Sequence, residues 1–381
     1  MEHRYLSILL TMLMSMMGVK TIAHDIEVVN TDGITIYYVW IKYADGGINK
    51  TGLFVSSKGG GIPSSESDAS YSGNIVIPES VEYNGKTYSV RGIEEYAFGF
   101  CCDLTSVIIP NSLTSIGKCA FWGCSGLNSI NIPNSVEIIG VDAFKNCSGL
   151  TSITIPRSAG SIGIPEGDSS GKSYNVFRGC SSLTSIIVED GNKKYDSREE
   201  CNAIIVSTYS TPGPTMEDGS STQESVLTGA ELVTGCMNTS IPNSVTSIGI
   251  SAFEGCSGLI SIMIPNSITS IKEDAFFGCK GITDVYCYAE EVPNAFNTSF
   301  DNTTTQKAVL HVPTSAIEMY SVTEPWSHFK EIVALEENPD AMIEAKQEYD
   351  SNEVYYNLTG RKVMYPQKGI YIKNCKKIIM K

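Results

Sequence analysis

The chain has 381 residues, 42% of them hydrophobic and 18% charged, a balance that supports a continuous apolar core and excludes an intrinsically disordered chain. Its formal net charge of -15 at pH 7 repels phosphate backbones, which argues against nucleic-acid binding and against docking on anionic membrane by a basic face. The length alone would allow two or three domains, but a repeat array escapes that count because each repeat packs only on its neighbours.

Residues 1–23 read as a signal peptide. Arg4 supplies a short basic segment, and Leu6 to Val19 an apolar one interrupted by Ser7, Thr11, Ser15 and Gly18. Thr21-Ile22-Ala23 suits cleavage. The apolar run is too short for a comfortable bilayer span, and no later segment reaches the ~18 apolar residues that a span needs. The expectation is an exported chain, extracellular or on the outer cell surface, with no integral membrane span after cleavage. No Cys follows the cut, so a lipid anchor is not indicated. Residues 24–75 are expected to form an N-terminal β capping segment.

A repeat then takes over. From Ile109 the chain reads IPNSLTSIGKCAFWGCSGLNSIN, from Ile132 IPNSVEIIGVDAFKNCSGLTSIT, from Ile241 IPNSVTSIGISAFEGCSGLISIM and from Ile264 IPNSITSIKEDAFFGCKGITDVY; contiguous units step by 23 residues. Within a unit, Leu127-x-x-Ile130-x-Ile132 alternates as a short half-buried strand does. Pro133 ends it, since proline has no ladder donor. Val136-x-x-Ile139-Gly140 is a second short extended segment, and Ala143-Phe144 sits in a helical or 3-10 turn with the ring inward. One such coil cannot bury its apolar face; stacked coils make one core. The fold class expected is therefore a repeat solenoid, mainly β, over residues 76–290. Polar insertions interrupt it at 163–173 and 207–225, where Gly, Ser, Asp and Pro signal exposed loops. A C-terminal cap follows at 291–335, an acidic linker at 336–350 and a small β module at 351–381.

The segments IPNSVTSIG, AFEGCSGL and SGLTSI resemble BspA-type leucine-rich repeats of bacterial surface proteins, over roughly residues 70 to 290. Ser67 to Val90 resembles that family's entry coil, Gly191 to Ile205 an irregular coil, and Val285 to Leu335 its closing segment. The resemblance implies a right-handed leucine-rich-repeat coil, a surface location and a binding role, and names no ligand. The last residues resemble the C-terminal β modules that some of these bacteria use for outer-membrane export. They depart from the pattern at Cys375, where the family has Gly. Asn374-Cys375 would be strained in a type I′ turn, so either the turn differs or the module is decayed.

Twelve cysteines in an exported chain suggest disulfides, but their spacing argues for something else. Cys101, Cys124, Cys147, Cys180, Cys256 and Cys279 hold one motif position, which stacking turns into a ladder of small buried thiols. Cys201 and Cys236 lie in irregular segments and are the pair most open to a disulfide. No CxxC occurs and the ladder lacks convergent His, so no metal or other cofactor is expected. GxSxG, HExxH and glycine-rich phosphate loops are missing too. Only a Cys287–His311 dyad offers a nucleophile and a base, and nothing around it points to a lowered thiol pKa. The chain is therefore expected not to be an enzyme.

What remains is surface. By register, Ile108, Asn131, Thr154, Ile187, Met263 and Tyr286 form an outward row on the concave sheet, beside a parallel row of Ser106, Ser129, Ser152, Ser185, Ser261 and Asp284. The first row varies and is the candidate binding surface. The leading reading is an adhesin-like, monomeric protein that binds an extracellular protein on host or neighbouring bacteria. A glycan-binding module, with Tyr286, Tyr288 and Trp122 as aromatic candidates, and a structural envelope protein are the alternatives.

Overall fold

A computed structural model describes residues 24–30, 32–45, 48–59, 69–165, 174–209 and 227–335, and the backbone of four short strands between 355 and 380. The expected signal peptide, the bulk of both insertions, the linker and the Asn374-Cys375 turn lie outside the described residues. The chain divides into two compact units at Val333/Ala334.

In the first unit, each coil contributes to three stacks. The first sheet holds the longer strands: Gly73–Val76 beside Leu104–Ile108, Ser152–Ile155 beside Ser185–Val188, and then Ser261–Ile264, Asp284–Cys287, Val309–Val312 and Glu331–Ala334. Pairing between consecutive coils is parallel and in step: Ser152 meets Ser185, Ser261 meets Asp284 and Met263 meets Tyr286. The second sheet holds two-residue strands, Ser115–Ile116, Ile138–Ile139, Ser161–Ile162, Ser247–Ile248, Ser270–Ile271 and Asn294–Ala295, again parallel from coil to coil.

The third side is made of turns. The expected turn at Ala143-Phe144 has hydrogen bonds of the 3-10 kind, each to the residue three back, with Ala143 N bonded to Gly140 O, Lys145 N to Asp142 O and Cys147 N to Phe144 O, and it does not extend into a continuous helix. The reason lies in the backbone. Asp142 and Asn146 have φ of 56° and 58°, a left-handed conformation that breaks a helix at both ends of the turn. The later position is Gly123, Gly179, Gly255 and Gly278 in other coils, all with positive φ, as glycine allows without strain.

The core is what the repeat predicts. Phe98, Phe121, Phe144 and Phe177 stack face to face at 4.9, 5.2 and 5.4 Å, and Phe253, Phe276 and Phe300 at 5.0 and 5.1 Å. These rings are buried, with Leu and Ile from both sheets around them.

Between the two runs of rings the coil pattern breaks. The turn at Asn175–Cys180 stacks directly on Ser251–Cys256, with Gly179 N bonded to Glu254 O and Asn175 Nδ2 donating to the carbonyls of Ser251 and Ala252. The second sheet instead takes in Tyr195–Asp196 and an antiparallel hairpin, Ile204–Tyr209 with Leu227–Thr234. Ser207–Tyr209, expected within the insertion, thus belongs to a strand. Ile204 and Val233 join the N-terminal core while Ile205 and Leu232 join the C-terminal one, so the hairpin is a wall buried on both faces.

The ends are closed by different means. An antiparallel meander, Ile26–Val29, Thr35–Asp45 and Ile48–Ser56, covers the first coil, and its last strand pairs in parallel with Lys86–Ile93. At the other end Tyr320, Trp326 and Phe329 cover Phe300. The second unit is an antiparallel sheet in the order Lys362–Val363, Tyr355–Tyr356, Gly369–Lys373, Lys376–Met380.

Close stacking on the turn side rests on missing side chains. A Cβ on Gly255, whose φ is 75°, would sit 2.7 Å from the Cα of Gly179. Gly255→Ala is expected to destabilise by more than about 2 kcal/mol, from φ strain and backbone overlap together. Gly160→Ala, whose nearest neighbour would be 4.0 Å away, is the control and stays near wild type. Thermal unfolding followed by circular dichroism checks the pair.

Candidate binding surface

The outward row is placed as the register requires. Ile108, Asn131, Thr154 and Met263 are exposed, Ile187 sits at the margin of exposure, and Tyr286 is half-buried. Their neighbours Val107, Ile130, Ile153, Ile186, Ile262 and Val285 are buried beneath the sheet. The row is apolar at both ends, with Ile108 61% exposed at one and Met263 52% exposed at the other, where Ile260 of the same coil is 61% exposed. There the row continues through Met263 and Tyr286 to His311, a member the repeat pattern does not reveal because His311 lies in the expected capping segment.

His311 organises this end. Its ring stacks on Tyr286 at 4.3 Å and 15°, and Nε2 lies 2.9 Å from Asp284 Oδ1. Asp284 also accepts from Thr283 Oγ1 at 2.8 Å, and these hydrogen bonds hold its carboxyl below the usual carboxylate range, the one from His311 first. The stack covers one face of the Tyr286 ring, so this tyrosine does not offer an open platform on that side. Trp122 is not a platform either. It stands on the turn side between Phe100, at 4.7 Å, and Tyr96, at 6.0 Å, with Lys145 Nζ 5.3 Å from its ring. Tyr288 remains the exposed aromatic of the three, at 44%.

The cysteine positions form a ladder with a defined bond. Cys124 Sγ donates to Phe98 O, Cys147 to Phe121 O, Cys180 to Phe144 O and Cys279 to Phe253 O, all at 3.0 or 3.1 Å. Each thiol thus ties its coil to the phenylalanine of the coil before. Burial raises the pKa of every ladder thiol, which keeps it protonated and a donor. Every cysteine among the described residues is a free thiol, including Cys201 and Cys236. The pair most open to a disulfide is not joined: the hairpin wall puts Cys201 in the C-terminal core and Cys236 in the N-terminal one, where its Sγ donates to Asn202 O. Nor do Cys287 and His311 meet as a dyad. Cys287 points inward and shares a hydrogen bond with Tyr320, its pKa raised by burial, while His311 lies on the outer face.

Parallel strands stacked in step around rings of phenylalanine define a leucine-rich-repeat solenoid. The model of the BspA type leucine rich repeat region matches six copies over residues 91–204 and 233–327, more than half of the chain, and the chain belongs to that family. No curated protein matches it in sequence. Among solved structures it is similar to a leucine rich cell surface protein from Faecalibacterium prausnitzii A2-165, with 16% identity and a TM-score of 0.39 over 84% of this chain and 97% of that one. A leucine-rich repeat protein from Bacteroides ovatus ATCC 8483 shares 19% identity, with a TM-score of 0.39 over 78% and 75%. The leucine rich repeat protein of T. pallidum shares 20%, with a TM-score of 0.33 over 69% and 78%.

Two outcomes follow from this geometry. Alkylation of the native chain at pH 8 should leave the six ladder thiols unmodified and label them only after denaturation, as read by peptide mass mapping; native labelling of Cys147 or Cys180 would place them at the surface. The Asp284–His311 pair should stabilise the fold by less than about 1 kcal/mol, since both side chains are partly solvated. Because the folded carboxyl is depressed, that contribution is present above the ordinary value of about 3.9 and disappears as pH falls through the folded one. The stability gap between wild type and Asp284→Asn should therefore close below that pH in a chemical-denaturation series.

Proposed function

We propose that this is an exported, non-enzymatic surface protein that recognises a protein partner, in the manner of an adhesin, through the outward row of the first sheet. The observation that carries the reading is the exposed apolar pair Ile260 and Met263 at its C-terminal end, beside the half-buried Tyr286 and His311 and the Ser-rich row. Backbone groups in the sheet are used by neighbouring coils, so outward side chains alone are available for recognition. Aromatic and methionine side chains are enriched in the cores of protein interfaces, where a few residues carry most of the affinity. Membership of the repeat family supports a binding role, and the leader-like N-terminus supports export and a surface location. The protein acts as a single chain, and the C-terminal β module serves attachment or sorting at the envelope.

The test is retention of extracellular matrix proteins and of surface proteins from neighbouring bacteria by the immobilised full chain. Ile260→Ser with Met263→Ser should weaken a retained partner about tenfold or more, equivalent to about 1.4 kcal/mol, without changing the melting temperature, because both side chains are exposed. Retention of no partner at micromolar concentration, or equal retention by the double variant, refutes the reading.

A further inference from the structure

One corner of the solenoid is built differently from the rest. Where other coils pass from the first sheet to the second through Pro-Asn-Ser, as at Pro133–Ser135 and Pro265–Ser267, the coil after Cys287 runs Tyr288-Ala289-Glu290-Glu291-Val292-Pro293. The register sets this connection one residue longer than that of the coil before: Ile264 pairs with Cys287, and Ser270 with Asn294. Between this loop and Asn266, Ile268 and Thr269 of the neighbouring coil lies a groove of about 360 Å³.

The loop is held from inside. Tyr320 Oη donates to Ala289 O and Trp326 Nε1 to Pro293 O, both at 2.9 Å, and both aromatic side chains are fully buried. At its ends Tyr288 N bonds to Ile264 O and Asn294 N to Thr269 O. The backbone is thereby fixed while Tyr288, Glu290 and Glu291 stay exposed. Such a preformed concavity spends little of its binding energy on ordering.

We infer that this groove binds a short neutral or amino saccharide. The exposed Tyr288 ring suits the apolar C–H face of a pyranose, much as aromatic rings pack on other apolar surfaces. The carboxylates of Glu290 and Glu291, the amide of Asn266 and the hydroxyl of Thr269 supply acceptors and donors in the mixture that vicinal hydroxyls require. No lysine or arginine lines the groove, so the carboxylates disfavour uronic, sialylated and sulfated sugars. The volume falls at the lower end of the range for ligand pockets, roughly 300–1,000 Å³, which suits one or two sugar rings rather than a long chain. The site is separate from the outward row and does not rest on protein recognition there.

The test is a glycan array probed with the full chain, spanning neutral, N-acetylated, amino and acidic saccharides, followed by calorimetric titration of the hits. Neutral or amino saccharides should bind and acidic ones should not. Tyr288→Ala should lower affinity about tenfold or more, while Tyr288→Phe, which keeps the ring face, retains it. Circular dichroism should show both variants folded, since the ring is exposed. Three results overturn the inference: no saccharide bound at millimolar concentration, binding unaffected by Tyr288→Ala, or a preference for lysine- and arginine-rich peptides that falls steeply with salt.

Discussion

The solenoid depends on one contact repeated along its length: a phenylalanine ring lying flat on the ring of the coil before. A coil of 23 residues has too little apolar surface to bury such a ring alone, so the first ring is buried only because a second covers it. The ladder cysteine belongs to the same contact. Its thiol donates to the backbone carbonyl of the preceding phenylalanine, as between Cys147 and Phe121, and satisfies an acceptor inside the core without bringing in a strongly solvated group. This accounts for a cysteine-rich chain in which the described cysteines are free thiols. A thiol engaged between coils, with its pKa raised by burial, is a poor nucleophile for exchange.

The same contact shows what happens where a coil is missing. After Phe177 the next ring, Phe253, is met by the backbone of Gly235, on which a Cβ would fall 2.2 Å from the ring. Cys256 loses the short bond of its equivalents and lies 4.0 Å from Gly235 O. Other interactions bridge this joint. Arg178 makes a two-pronged contact with Asp142 and a further one, at 3.1 Å, with Glu254, so one guanidinium spans three consecutive turns from both halves. The pairs are only partly solvated, and a planar fork of donors fits a carboxylate as lysine would not. On the C-terminal face of the hairpin Lys272 reaches Glu231 at 2.6 Å, across the strand Ser247–Ile248. Charge thus takes over where the ring stack is broken.

How far the sequence discloses this follows from the same physics. Positions that must match from coil to coil recur at 23 residues, so the inward rings, the thiol ladder and the outward row are legible. The hairpin wall is not. Ile204-Ile205 and Leu232-Val233 are buried on both faces, and a strand covered on both sides shows no alternation to read. Without the wall, Cys201 and Cys236 look like two irregular cysteines free to meet. Left-handed residues such as Asp142 and Asn146 are similarly silent, because the repeat accepts Tyr96, Cys119 and Ser251 at the first position and Phe100 at the second. The turn could be placed in sequence, but the left-handed residues that keep it from extending into a helix could not.

The corner at Tyr288 joins both lessons. Its loop breaks the Pro-Asn-Ser pattern, which a sequence shows, but it is held by Tyr320 and Trp326, some thirty residues later in the cap. Nothing local connects them. In a stack whose interior is common to all coils, a feature peculiar to one coil has to be supported from outside the repeat, and the cap is the element free to do it. Its buried rings close the end of the phenylalanine stack and, through one hydroxyl and one indole N–H, fix the backbone of a neighbouring loop. That double use fits the position of the irregular loop one coil from the end of the ladder, within reach of the cap's buried Tyr320 and Trp326.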